Sequence, residues 1–395
     1  MNYKVFVNKD NPISNDYLNS MHLVDYNGIM VEKKALNMFK LMLNENNLDV
    51  NIIKAYTNDK RDEHVTGLLL DINKDIDSTL LEKYGFIKEE KSIRYTGKST
   101  AKIINDNKLT LEKYNEFYNK SFLVLVNKPS SITSFDVCEK VGKIFDTKKV
   151  GHTGTLDPLA SGLMLVLVNK YTKLNNLINY DYKEYIAVVE KGIETDTLDI
   201  TGKVLKQKNK IMIDDLKDVL ESFKGKYMQE VPIYSAVKIN GKKLYEYARE
   251  NKTIDLPKRE VEIKDIELIE EDNNSFKFRC LVSKGTYIRS LIRDIGTKIN
   301  YPLTMKSLLR TKEGKFKLDD SIKLSDININ SKKLYLKDIF DYEILDIDDD
   351  LYKSIINGVK VKVDFNGKRL IKYNDEIIGI VENINGYISK KFIDI

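Results

Sequence analysis

The twelve residues Gly151-His152-Thr153-Gly154-Thr155-Leu156-Asp157-Pro158-Leu159-Ala160-Ser161-Gly162 constrain this chain more than any other stretch. Their three glycines, one proline and two threonines force a fixed loop, because glycine permits positive φ or close backbone approach and proline presets its own φ. The apolar run at 163–168 follows at once, reads as a buried strand and would anchor the loop. An acidic side chain held on such a loop, Asp157, is positioned for chemistry. The plainer reading is a turn in which Asp157 bonds local backbone N–H groups.

Length and composition set the frame. At 395 residues the chain has room for two or three domains. Its 42% hydrophobic and 32% charged residues are the balance of a soluble globular protein. The longest apolar run, 163–168, is far short of the ~18 residues that cross a bilayer. The start, MNYKVFVNKD, has no apolar segment behind its lysine, so no secretory leader is expected. Cys138 and Cys280 are too few for a disulfide framework and suit a reducing cytoplasm. His22, His64 and His152 leave little material for a histidine-rich metal site. A cytoplasmic protein without membrane association is expected.

Charge is uneven. Residues 1–120 carry 18 basic and 18 acidic side chains, 121–330 carry 36 and 30, and 331–395 carry 11 and 12. The middle segment therefore holds the positive excess, which suits a polyanionic partner or simply a solvated surface.

Pattern divides the chain in three. Residues 3–7 alternate like a strand, and 32–43 have helical spacing through Leu36, Phe39, Met42 and Leu43. A polar, partly helical stretch at 104–120 precedes a new strand at 122–126, so a boundary is placed near 118. Beyond it, Ser134 is the expected N-cap of a helix with Val137, Val141, Ile144 and Phe145 on one face. Phe276, Phe278, Cys280 and Val282 alternate as a strand, and a helix starting at Thr286 carries Ile288, Leu291, Ile292 and Ile295. An acidic cluster at 341–350 leads into short strands with Asn-Gly turns at 357–358, 366–367 and 385–386, the pattern of a small β-barrel.

The twelve-residue loop resembles the GHTGTLDPxASG signature of the bacterial tRNA pseudouridine-55 synthases, the TruB family. Val126-Asn127-Lys128-Pro129 with Ser134 resembles that family's first strand and helix. Lys183-Glu184-Tyr185 followed by Gly192 and the stretch Thr195 to Gly202 resembles its second motif, and Pro232 to Gly241 with Leu244-Tyr245 and Ala248-Arg249 its third. Ser283-Lys284-Gly285-Thr286-Tyr287-Ile288-Arg289-Ser290-Leu291 and Leu308-Leu309-Arg310-Thr311 complete the set in the family's order. Two departures, Val231 for the usual first proline of the third motif and Lys191 before Gly192, fall away from the expected reacting groups.

The resemblance implies a mixed α/β catalytic domain over 119–334, with a mixed central sheet and helices, and a PUA-like C-terminal β-barrel over 335–395. It implies isomerisation of uridine to pseudouridine in the T-arm loop of tRNA. Breaking an N–C glycosidic bond and forming a C–C bond needs no redox step, so no cofactor and no metal are expected. It needs a carboxylate, as nucleophile or to remove a sugar proton, and the resemblance gives that part to Asp157. Arg289 becomes its partner, keeping the carboxylate ionised and aimed. Tyr185 resembles the tyrosine that packs on the flipped base and passes a proton, and Tyr287 and Leu308 resemble the pocket walls. His152 resembles the histidine that enters the space around displaced nucleotides. Asp199 is a candidate RNA contact, and Lys128, Lys238, Lys284 and Arg310 are phosphate neutralisers by residue type. The partner is tRNA and the expected state a monomer. A non-catalytic tRNA-binding protein on the same scaffold stays open.

Residues 1–118 form an expected small α+β domain, and 1–115 resemble the VanY-type D-Ala-D-Ala carboxypeptidases. The landmarks are Val5 to Pro12, Glu63-His64-Val65-Thr66-Gly67-Leu68-Leu69-Leu70-Asp71, Lys83-Tyr84-Gly85-Phe86-Ile87 and Arg94-Tyr95-Thr96-Gly97. His64 and Asp71 would be zinc ligands and Glu89 the base, but the place of the second histidine is taken by Ser92, a poor zinc ligand, beside Lys91. A retained scaffold is expected rather than a working peptidase.

Overall fold

The computed structural model describes residues 120–393 except 146, 179, 251 and 329. Before them it describes 2–6, 23–26, 29–32, 50–57, 65–72, 78–84, 86–89 and 92–95. It divides into two compact units, residues 1–120 and 121–395.

In the first unit five strands form one sheet in the order 50–57, 65–72, 2–6, 92–95, 86–89, with a separate hairpin of 23–26 and 29–32. The helix Ser78–Lys83 brings Leu81 into a buried position, and Tyr84 just after it is buried too. Residues 33–43 and 104–119, where helical spacing was noted, lie outside the described residues, as does His64. Asp71 is in the strand Val65–Ile72, paired with Asn2 and Asn51.

The second unit is built on a ten-stranded mixed sheet. Its strands are numbered here β1 (Phe122–Lys128), β2 (Val150–His152), β3 (Ser161–Val168), β4 (Tyr182–Lys191), β5 (Gly225–Glu230), β6 (Lys258–Glu271), β7 (Ser275–Ser283) and β8 (Leu303–Glu313). The order is β5-β6-β7-β4-β8-β3-β1, then a short strand Ile322–Lys323; β2 pairs with β3, and Phe316–Lys317 pairs with β8. β3 and β8 run parallel and most other pairs antiparallel. β3 is apolar and buried from Gly162 to Val168, as a strand covered on both faces must be.

Two helices matter for the site. In α1 (Ser134–Ile144) the N-cap is Thr133, one residue earlier than expected. Thr133 and Asp136 form a reciprocal capping box, which frees the Ser134 hydroxyl for another partner. α2 (Ile288–Lys298) starts two residues after Thr286. Gly285, at φ +87, turns the chain out of β7, and the Thr286 hydroxyl closes that turn on the Ser283 carbonyl before helical geometry begins. Ile288, Leu291, Ile292 and Ile295 are all buried, at about 1.5–3 kcal/mol each.

The C-terminal β domain is a four-stranded sheet of Ile344–Asp346, Lys368–Tyr373, Glu376–Ile384 and Tyr387–Ile393. Leu370, Ile380 and Phe392 share one apolar cluster with Leu123, Leu125, Leu163 and Leu165 of the main sheet. The Leu336 N–H donates to the Tyr171 hydroxyl across the same junction. Asn385-Gly386 makes the expected hairpin turn, both at positive φ. Asn357-Gly358 instead ends the helix Asp349–Ile356, with Gly358 at φ +73 taking the left-handed position that helix ends favour.

Candidate active site

Register assembles the site. Lys128 on β1 lies opposite Gly162 on β3, Gly162 opposite Arg310 on β8, Arg310 opposite Tyr185 on β4, and Tyr185 opposite Cys280 on β7. This transverse row crosses five strands at the level where the loop 153–160 returns into β3. Gly162 is obligatory there. It sits at φ +107, and a Cβ would fall 2.4 Å from the Arg310 carbonyl oxygen.

The loop is held from outside. Ser134 Oγ donates to the Leu156 carbonyl at 3.0 Å and accepts the Leu156 N–H at 2.9 Å. Lys128 Nζ donates to the carbonyls of Pro129, Pro158 and Ala160, the last at 2.6 Å. Arg310 donates through Nη2 to the Gly154 carbonyl and through Nε to that of Leu163. Lys128 and Arg310, expected from residue type to neutralise phosphates, are wholly buried and pin the loop through its backbone carbonyls instead. Burial pushes the Lys128 ammonium down to about 8, with Arg310 adding to the effect and Asp157 opposing it. Ser134→Ala removes both bonds to Leu156 and leaves a buried N–H and C=O unpaired. A loss of about 1–3 kcal/mol is expected, read as a lower Tm.

At the loop's tip, Asp157 is one-third exposed, its side chain at 34%, while its partner Arg289 is at 5%. Arg289 Nε donates to Asp157 Oδ2 at 2.8 Å and Nη2 to Oδ1 at 3.1 Å, a bidentate pair. The same guanidinium donates to the Thr197 carbonyl at 2.9 Å and the Tyr234 carbonyl at 3.0 Å. It is thereby fixed by three loops that are far apart in sequence. α2 presents it in its first turn, and Gln229, itself fully buried, sets the start of that helix. Its side chain accepts the Tyr287 N–H and donates to the Tyr287 carbonyl.

Around the pair, Leu156, Ala160, Tyr185 and Leu308 belong to one buried cluster. Burial raises the Tyr185 phenol above its ordinary value, Arg310 opposing. Tyr287 is half-buried with Arg259 over its ring at 5.6 Å. His152, on β2 opposite Val166, is desolvated, and burial followed by the nearby Arg310 holds its imidazole below the usual value, so it is neutral at pH 7. Its Nδ1 is buried with no hydrogen-bond partner among the described residues. Asp199 is 7% exposed, and its Oδ1 accepts from the Thr197 hydroxyl and from the Thr201 N–H. It organises the 195–202 turn that offers Thr197 to Arg289, rather than pointing at solvent. Lys238 and Lys284 are exposed.

Lys183, Glu313, Tyr234 and Gln229 were not singled out by sequence as site residues, though Lys183 and Tyr234 stand within the motifs. Among the described residues no cluster of His, Cys, Asp and Glu could hold a metal ion.

The architecture is that of a pseudouridine synthase. The chain superposes on a chain of the Cbf5-Nop10-Gar1 complex with a TM-score of 0.53 and 22% identity, over 72% of this chain and 86% of that one. Residues 142–288 match the family described as TruB family pseudouridylate synthase (N terminal domain). The chain is 42% identical over 262 residues to tRNA pseudouridine synthase B of Clostridium tetani, across 64% of this chain and 89% of that protein. It is 44% identical over 238 residues to the protein of the same name from Caldicellulosiruptor saccharolyticus, across 60% and 82%. The chain belongs to the TruB family of pseudouridylate synthases.

Proposed function

We propose that this enzyme isomerises uridine 55 in the T-arm loop of tRNA, with Asp157 as the reacting carboxylate. The observation that carries the reading is the bidentate Asp157–Arg289 pair, whose acid is accessible while its base is buried. Such a pair holds both carboxylate oxygens in one orientation. Its likeness to tRNA pseudouridine synthase B of Clostridium tetani and of Caldicellulosiruptor saccharolyticus supports tRNA as substrate.

The target base must leave its stack to reach Asp157. His152 fills space vacated in the RNA, and its neutral imidazole suits a position among bases. Tyr185 and Leu308 pack on the flipped uracil, and Tyr287 walls the pocket. Asp157 acts on the ribose as the N1–C1′ bond breaks; the base turns, C5 bonds to C1′, and the C5 proton leaves. The Tyr185 phenol, kept protonated by burial, is placed to relay that proton, its oxygen taking the C5 proton as its own hydroxyl proton passes on to solvent.

The test is tritium release from a tRNA transcript labelled at uridine C5. Release stoichiometric with tRNA, and reduced by one equivalent when position 55 is changed to cytidine, supports the reading. Tight tRNA binding with no release would replace it with a non-catalytic RNA-binding role.

For the N-terminal unit we favour a scaffold without hydrolytic activity. Ser92, in the place of a zinc-binding histidine, pairs with Glu89 across a hairpin. Stoichiometric zinc in the purified protein, together with release of D-alanine from a muropeptide, would revive the peptidase reading.

A further inference from the structure

Behind Tyr185 lies a buried charge cluster that the reaction as described does not use. Lys183 on β4 lies opposite Glu313 on β8, and Tyr185 opposite Arg310. Arg310 and Glu313 are three residues apart, so a regular strand would send them to opposite faces of the sheet. The register shift between Glu184 and Tyr185 inserts one extra residue on β8 and turns both inward. The result is a contact of 3.4 Å between Arg310 Nη2 and Glu313 Oε2, with side-chain exposures of 0% and 2%. Lys183 Nζ is 3.2 Å from Glu313 Oε1, and Thr153 Oγ1 donates to the same oxygen at 2.6 Å. Gly154 makes room for the ammonium, since a Cβ there would meet Lys183 Nζ at 2.3 Å.

The geometry points to Glu313 as a positioning residue: it is the buried counter-ion that holds Lys183 and Arg310 behind Tyr185 and, through Thr153, fixes the end of the strand carrying His152. Two cations and one carboxylate then leave a net positive charge at the back of the pocket, less positive than the cations alone would make it. The charged groups nearest Tyr185 are Arg310 and Glu313 from β8, with Lys183 of its own strand paired to Glu313; Cys280 from β7 is a buried, neutral thiol. His152 meets Arg310, Glu313 and Lys183, and Lys183 also feels Lys284. Burial would raise the Glu313 carboxyl, but Arg310, Lys183 and the Thr153 hydroxyl together hold it below its ordinary value, so it is charged at neutral pH. That negative charge discourages ionisation of the phenol, which Arg310 favours.

This inference rests on Tyr185 lining the pocket, and its test reads the phenol directly. In Glu313→Gln the acceptor for Thr153 is kept and the charge is lost. Tyrosine labelled with carbon-13 at Cζ is followed by NMR against pH, the Tyr185 signal being assigned with Tyr185→Phe. The Tyr185 signal is expected to titrate at lower pH in Glu313→Gln than in wild type. In Glu313→Gln with Lys183→Met, which removes one charge of each sign, it is expected to move back. Where Glu313→Gln alone does not fold, the double variant is compared with Lys183→Met, and its Tyr185 signal is expected to titrate at the lower pH of the two. An unchanged signal in the pair that folds overturns the proposal. If the NMR titration moves but the pH profile of single-turnover tritium release does not, Glu313 keeps its part and the proton-carrying role of Tyr185 falls.

Discussion

Asp157→Asn is expected to reduce tritium release by about 10⁴-fold while leaving tRNA affinity within a few-fold of wild type. The amide keeps the shape of the carboxylate and one acceptor for Arg289, so the loop stays clamped by Ser134, Lys128 and Arg310, none of which touches the Asp157 side chain. What is lost is a negative oxygen able to act on the ribose. Asp157→Ala gives the same loss of rate. It adds a structural cost of about 1–3 kcal/mol, because Arg289 Nε is left buried without its acceptor. Retention of more than a tenth of the wild-type rate by Asp157→Asn would remove Asp157 from the chemistry.

The second large effect belongs to Arg289. Four hydrogen bonds from one guanidinium join Asp157, Thr197 and Tyr234, and no other side chain offers that planar fork. Arg289→Lys keeps a charge but cannot make the bidentate pair, and the rate is expected to fall by about 10²–10³-fold, chiefly in kcat. Arg289→Met removes the charge and leaves the Thr197 and Tyr234 carbonyls without their donor, while Asp157 stays a third exposed, at a stability cost of about 1–3 kcal/mol. Thermal denaturation should show it as a clear drop in Tm. If Arg289→Lys turned over at the wild-type rate, orientation of Asp157 by Arg289 would be unnecessary.

The sequence made these two residues visible for different reasons. Asp157 stands in a loop so dense in conformational specialists that an acid there invites a chemical reading, and the family motif supplied the rest. Arg289 was placed correctly in the first turn of its helix because Ile288, Leu291, Ile292 and Ile295 show helical spacing. Lys128 and Arg310 misled because a basic residue near a nucleic-acid site reads as a phosphate contact. Only the register reveals that both are buried against backbone carbonyls. Ser134 looked like a cap, and the adjacent Thr133 does that work because its partner Asp136 stands three residues on. Glu313 was illegible for a sharper reason. Its alignment with Arg310 depends on a bulge, and no local pattern in residues 308–313 announces one.

The place of β8 in the sheet has a consequence for how the molecule is made. β8 lies between β4 and β3, yet its residues 303–313 follow Asp157 by some 150 positions. A chain growing from the ribosome therefore exposes Asp157, Tyr185 and the fringe of β3 long before Arg310 exists to join them. Until then the two halves of the sheet have no shared strand, and the reactive carboxylate belongs to no pocket. Nascent chains shorter than this are expected to be inert and prone to strand-edge association. The row of residues that forms the site is complete only once Glu313 has been translated.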